Sequence, residues 1–149
     1  MALIREASAG YLTNWAARLF ARELERQLAP SGIAPAYMPV LFALADGSAL
    51  TQKALARRAA VEQPTMAATL NRMQRDGMIT RRPDPGDKRS ALVALTPLAL
   101  GQIDAVERVV SAINTLALEQ LAPDERTQLL GLLRRVIGVL EAQDKQLGT

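Results

Sequence analysis

The stretch Leu50–Thr96 reads LTQKALARRAAVEQPTMAATLNRMQRDGMITRRPDPGDKRSALVALT. Thr51 is a good N-cap and predicts a helix from Gln52 to Arg58, with Leu55 and Ala59 inward and Lys53, Arg57 and Arg58 outward. Ala59-Ala60-Val61 suits a tight turn, where two helices meeting at a steep angle need small residues. Taken alone, these residues fit an ordinary helical hairpin equally well. Pro64, at a first helical position with Gln63 before it, opens a second helix to about residue 76. Met66, Leu70 and Met73 fall at i, i+4 and i+7, which predicts a narrow buried stripe. Asp76-Gly77 stops that helix, and Met78–Arg82 reads as a strand. Pro83-Asp84-Pro85-Gly86-Asp87 has the composition of a turn. In the return strand, Arg89, Ala91, Val93 and Leu95 alternate with Lys88, Ser90, Leu92 and Ala94.

The outer face of the second helix carries Thr65, Ala68, Thr69, Arg72 and Arg75. It is small and hydroxylated near its start and basic further along. A helix entering a DNA major groove needs short side chains at close approach, with hydroxyls, amides and guanidiniums that reach base edges and phosphates. The helix start also offers free N–H groups to a phosphate. The charge distribution agrees. Residues 51–96 hold nine Lys/Arg against four acids, and the rest of the chain holds nine against eleven. On charge alone, a polyanion-binding face and a solvated basic surface fit this imbalance equally.

Outward from this stretch the chain turns helical. Tyr11 to about Ala29 reads as a helix with a broad apolar face built from Leu12, Trp15, Leu19, Phe20, Leu24 and Leu28. Pro30-Ser31-Gly32 ends it. Ile33–Ala45 predicts a shorter helix, with Pro35 and Pro39 near its start and a slight kink at Pro39. On the other side, Thr96-Pro97 predicts a helix running to about Gln120, with Ile103, Val106, Val110, Ile113 and Ala117 in a 3-4-3-4 seam. Pro123-Asp124-Glu125 starts a final helix whose apolar face (Leu129, Leu132, Leu133, Val136, Ile137, Leu140) is wider than one neighbour can cover. Two arrangements satisfy that surplus, an interface with a second copy or an intramolecular bundle, and the length of the terminal helices favours the first.

Composition narrows the chemistry. The 149 residues are 49% hydrophobic but only 3% aromatic, so Leu, Ala, Val and Ile must fill the core. Without Cys or His, thiolate and imidazole metal sites, thiol sensing and catalytic triads have no residues to work with. No nucleophile–base or carboxylate pair suggests an enzyme, and no cofactor is expected. The start MALIREASAG lacks a signal peptide's apolar run and no long uncharged stretch could span a bilayer, so the expectation is no membrane and a cytoplasmic location.

With these elements in order, the chain resembles the MarR-family winged helix-turn-helix transcriptional regulators over nearly its whole length. The sharpest piece is VEQPTMAATLNRMQRDGMITRRPDPGDKRSALVALT, with Asp87-Lys88-Arg89 followed by Leu95-Thr96 as the wing pattern. The Gln-Pro-Thr helix start is most like the SlyA-type branch. The resemblance implies a mainly α fold with a small two- to three-stranded β wing. It implies a single domain over 1–149, with a DNA-binding part at 33–96 and helical dimerisation parts at 1–32 and 97–149. It further implies a homodimeric repressor on an inverted repeat of double-stranded DNA. A recognition helix at about 64–76 would enter the major groove, and a wing at about 79–95 the minor groove.

Carried over by position, Gln63, Pro64, Thr65, Thr69, Arg72 and Arg75 lie at or near bases and phosphates. Thr51 and Gln52 meet the backbone, and Arg82, Lys88 and Arg89 belong to the wing, with Arg89 in the minor groove. Asp87 orients the wing and its arginine; a role confined to the turn is the other reading. Ala68 departs from the longer polar residue that could read a base there. A small aromatic or anionic effector is a further implied partner. Tyr11, Trp15, Tyr37, Met38 and Phe42 would line its pocket or serve the core. Two other readings stand beside the repressor: an architectural DNA binder of low specificity, and a winged-helix module for protein contact. The hydroxylated, basic outer face of the second helix favours DNA over protein.

Overall fold

In a computed structural model, which describes residues 3–148, the chain forms two compact units at 1–111 and 112–149. The first unit begins with helix α1, Ala9–Leu28, capped by the Ser8 hydroxyl, which accepts the Tyr11 N–H at 3.2 Å. A 3-10 turn at Ala29–Ser31 and Gly32, at φ 72°, end it. The expected helix over Ile33–Ala45 is instead a 3-10 turn, Pro35–Tyr37, followed by α2, Met38–Leu44. The two prolines explain the break. Pro35 opens the 3-10 turn, and Pro39, which has no N–H to give, falls in the first turn of α2.

Next come β1, Leu50–Thr51, α3, Gln52–Ala59, and α4, Gln63–Arg75. The Thr51 hydroxyl caps α3 by accepting the Ala54 N–H at 3.2 Å. Between α3 and α4, Ala60 takes a left-handed conformation at φ 54°, and the Val61 N–H reaches back to the Ala56 carbonyl at 2.9 Å. That closure sends the chain sharply into α4. Pro64 is the second residue of α4 rather than the first.

Strands β2, Ile79–Asp84, and β3, Asp87–Leu95, form a hairpin, and β1 joins the far side of β3 in an antiparallel sheet ordered β1-β3-β2. The expected five-residue turn shrinks to Pro85-Gly86, because Pro83 and Asp84 still pair with Ala91 and Asp87 through an irregular register. Pro83 is tolerated there because β2 is an edge strand.

One core holds this unit together. Leu28, Tyr37, Val40, Leu44, Leu55, Met66, Leu70, Met73, Ile79 and Val93 are all nearly inaccessible to solvent. Each large apolar side chain buried this way contributes about 1.5–3 kcal/mol against exposure. The stripe on α4 and the alternation on β3 are therefore what fix both elements to the same centre.

The predicted helix from Pro97 to about Gln120 is broken. Pro97–Leu100 is a short α5, and α6 runs Ile103–Ala117. Gly101 lies between them, and the Gln102 N–H bonds the Ala99 carbonyl at 3.0 Å, a tightened last turn. Ala99 is wholly buried, which pins α5 to the core, and glycine is a poor helix continuer. In the second unit, α7 covers Pro123–Leu147, and the Glu125 carboxylate accepts the Ala122 N–H at 2.8 Å to close its first turn.

Candidate nucleic-acid interface

Helix α4 has two unlike faces. Met66, Leu70 and Met73 are buried, and Thr65, Arg72 and Arg75 are exposed, with Thr69 half-buried. Gln63 and Pro64 are exposed in its first turn, and its N-cap Glu62 makes no side-chain cap, which leaves first-turn N–H groups open to an anion. Thr51 and Gln52 are half-buried at the start of α3. As the cap, the Thr51 hydroxyl accepts the Ala54 N–H, which leaves its own O–H as a donor.

The wing tip is built from carboxylates that accept backbone N–H groups. Asp84 Oδ1 accepts the Gly86 N–H and Asp87 Oδ1 accepts the Arg89 N–H, both at 2.9 Å. The Ser90 hydroxyl donates to the other Asp84 oxygen at 3.4 Å. Asp87 thus holds Arg89 by its backbone rather than by its guanidinium. The Arg82, Lys88 and Arg89 side chains are exposed.

Arg81 shows how wing and helix stay in register, a role that strand patterning alone does not reveal. Its guanidinium donates to the Gln74 carboxamide oxygen and to that of Asn71 at 3.2 Å, so β2 is tied to the last turns of α4. At the stop of α4, Gly77 sits at φ 72°, and the Thr96 hydroxyl donates to its carbonyl at 2.7 Å. The same hydroxyl caps α5 by accepting the Ala99 N–H at 3.2 Å.

Tyr37 lies beneath this face. It is 1% exposed, its hydroxyl donates to the Asp76 carboxylate, and the Arg72 guanidinium stands 5.6 Å from its ring centroid. Burial pushes the Tyr37 pKa up and the neighbouring Asp76 carboxylate adds to the shift, so the hydroxyl stays protonated and able to donate. Arg58, by contrast, is engaged within the fold: it pairs with Asp46 at 3.1 Å and donates to the Ser48 hydroxyl at 3.4 Å. The Ser48 hydroxyl and N–H, with Arg58, hold the Asp46 carboxyl down to about 2.

An open groove of about 440 Å³ lies between α2 and α6. Met38 and Phe42 line it, with Leu41, Ile103, Val106 and Val110, and its charged members are Asp46 and Glu107. Tyr37 is committed to the core under α4. Tyr11 and Trp15 pair edge to face on α1, 6.3 Å apart, with Arg5 over the Trp15 ring. None of these three aromatics lines the groove. Among the described residues, no group of three or more acidic side chains is placed to hold a metal ion, and no helix is long and apolar enough to cross a membrane.

Residues 31–90 match the sequence profile of the MarR family. The chain is 33% identical over 97 residues to the HTH-type transcriptional repressor NicR of Pseudomonas putida, a match that spans 65% of this chain and 61% of NicR. Its fold superposes on the PcaV transcriptional regulator of Streptomyces coelicolor, solved with its natural ligand, at a TM-score of 0.83 and 25% identity, covering 93% of this chain and 97% of PcaV. It also superposes on the repressor CouR bound to a 23-mer DNA duplex, at 0.81 and 23% identity, covering 92% and 99%, a likeness of fold. Residues 31–90 thus match the MarR-family profile, in a chain whose fold superposes on those of solved transcriptional regulators.

Proposed function

We propose that the chain is a sequence-specific DNA-binding transcriptional regulator, a homodimeric repressor acting on a palindromic operator. The observation that carries this reading is the two-faced α4: its inner stripe is locked in the core, and its outer face presents Thr65, Arg72 and Arg75 to solvent. In this reading Gln63, Pro64, Thr65 and Thr69 lie against the major groove, with Arg72 and Arg75 on bases or flanking phosphates. Arg89 enters the minor groove, where the potential is most negative, and Lys88 and Arg82 meet phosphates nearby. Thr51 and Gln52 address the backbone from the start of α3. NicR is named a repressor, and CouR is described on DNA, which supports the same role here.

The helical parts at 1–32 and 97–149 serve dimerisation in this reading. Tyr11, Leu12, Leu19 and Phe20 on α1 are exposed, as are Leu132, Val136, Ile137 and Leu140 on α7, more apolar surface than a monomer usually leaves open. The Gln63-Pro64-Thr65 start supports a place in the SlyA-like branch, and a regulator of this kind works in the cytoplasm. Of an aromatic and an anionic effector, the α2–α6 groove fits the aromatic. Its lining is apolar, and Asp46 and Glu107 repel an anion.

Arg89→Ala tests the wing. It is expected to weaken operator binding about tenfold or more with the dimer intact, as an arginine in a narrow minor groove carries both charge and shape readout. An Arg89→Ala chain that binds the operator as tightly as wild type removes the wing from the interface.

A further inference from the structure

We propose that Tyr37 is a positioning residue for DNA recognition: its buried ring fixes the direction of Arg72, and its hydroxyl anchors that ring to the last turn of α4. The inference rests on the DNA-binding reading above. Tyr37 ends the 3-10 turn Pro35–Tyr37 just before α2, so its backbone belongs to an element other than the one it acts on. Its ring faces the Arg72 guanidinium at 5.6 Å, within range for attraction between a cation and the negative face of the ring. Its hydroxyl donates to Asp76, the cap of α4 and one turn beyond Arg72. Arg72 and Asp76 therefore share a helix edge, and one tyrosine holds both.

A core position asks only for an apolar side chain of this size, which Phe supplies. The cation over the ring and the carboxylate on the hydroxyl are extra features, and both belong to the helix proposed to read DNA. Arg72 is exposed, so without the ring its long side chain would be free to rotate. An arginine that meets DNA already ordered loses less freedom on binding, and affinity rises accordingly. No aromatic ring lies under Arg75 among the described residues, which makes Arg75 an internal control.

The test is a set of mutant cycles with the full chain on DNA selected from a random pool. Tyr37→Leu is expected to weaken binding roughly three- to tenfold. In an Arg72→Ala background the same change should alter affinity by less than about twofold, and in an Arg75→Ala background its full effect should return. Tyr37→Phe, which keeps the ring, should recover most of the loss. Thermal midpoints of all variants separate affinity from stability. Equal losses in the Arg72→Ala and Arg75→Ala backgrounds would overturn the proposal while leaving the DNA-binding reading intact. A wild-type chain that selects no DNA would end both. A second readout is independent of how Tyr37→Leu folds. In the DNA-free wild type, the Arg72 side-chain protons should show upfield ring-current shifts in NMR spectra, and unshifted protons would overturn the proposal.

Discussion

The Arg81 guanidinium donates to the Asn71 carboxamide oxygen at 3.2 Å, joining the first half of the wing to the outer edge of α4. With its second bond, to Gln74, the planar fork spans two carboxamides on adjacent positions of one helix edge. Helix and wing are thereby presented as one surface. Charge-assisted hydrogen bonds contribute about 1.5–3 kcal/mol when sheltered, and less at a half-exposed site such as this one. Arg81→Ala is expected to lower DNA affinity about fivefold to tenfold while stability falls by about 1 kcal/mol or less. Arg81→Lys should fail to restore affinity, because an ammonium cannot bridge both oxygens in the same plane. Gel-shift titrations beside thermal melts read the two effects separately, and wild-type affinity in Arg81→Ala would show that the tie is dispensable.

Two left-handed residues bracket α4, and they predict opposite outcomes. Gly77 has φ 72°, and a Cβ there would meet nothing closer than Leu98 Cδ2 at 4.0 Å. The penalty of Gly77→Ala is therefore one of backbone, about 1–2 kcal/mol. Ala60 already sits at φ 54° with a Cβ in place. Ala60→Gly should relieve that strain and stabilise by up to about 1 kcal/mol, after the added freedom of the unfolded chain is subtracted. Urea unfolding of both variants checks the pair of signs.

Acid should weaken the fold in part through Asp46. Its folded pKa is about 2 against an ordinary 3.8, held down first by Ser48 and then by Arg58. A carboxyl depressed in the fold adds stability above its unfolded pKa and loses it as pH falls through the folded value. The window is thus about pH 4 down to 2. In Asp46→Asn the dependence of stability on pH should be flatter across that window and unchanged above it. Urea midpoints from pH 5 to 2.5 measure this, and parallel wild-type and mutant curves would contradict it.

What the sequence made legible was what repeats or caps. Met66, Leu70 and Met73 announced the inner face of α4, Thr51 and Thr96 announced their helix starts, and Asp76-Gly77 announced the stop, each a local signal that the packing agrees with. Contacts between distant residues left no such mark. Tyr37 looked like a pocket or core aromatic, because nothing local reveals an Asp76 39 positions away. Arg81 looked like an ordinary strand cation, though its partners lie on the preceding helix. Leu50–Thr51 is too short to announce itself as a strand, and only its pairing with Leu92 and Val93 makes it one. The helix break at Gly101 falls between the Thr96-Pro97 start and a seam that begins only at Ile103, and no proline or second cap marks it.

The central claim is that two copies of the winged helix read the two halves of a symmetric DNA site. Selection of bound duplexes from a random pool by the full chain tests it most directly. The predicted result is an inverted repeat with half-site centres roughly 10 bp apart, or a small multiple of that, bound by two chains. Recovery of sequences with no symmetry, or of no enriched sequence at all, would contradict it.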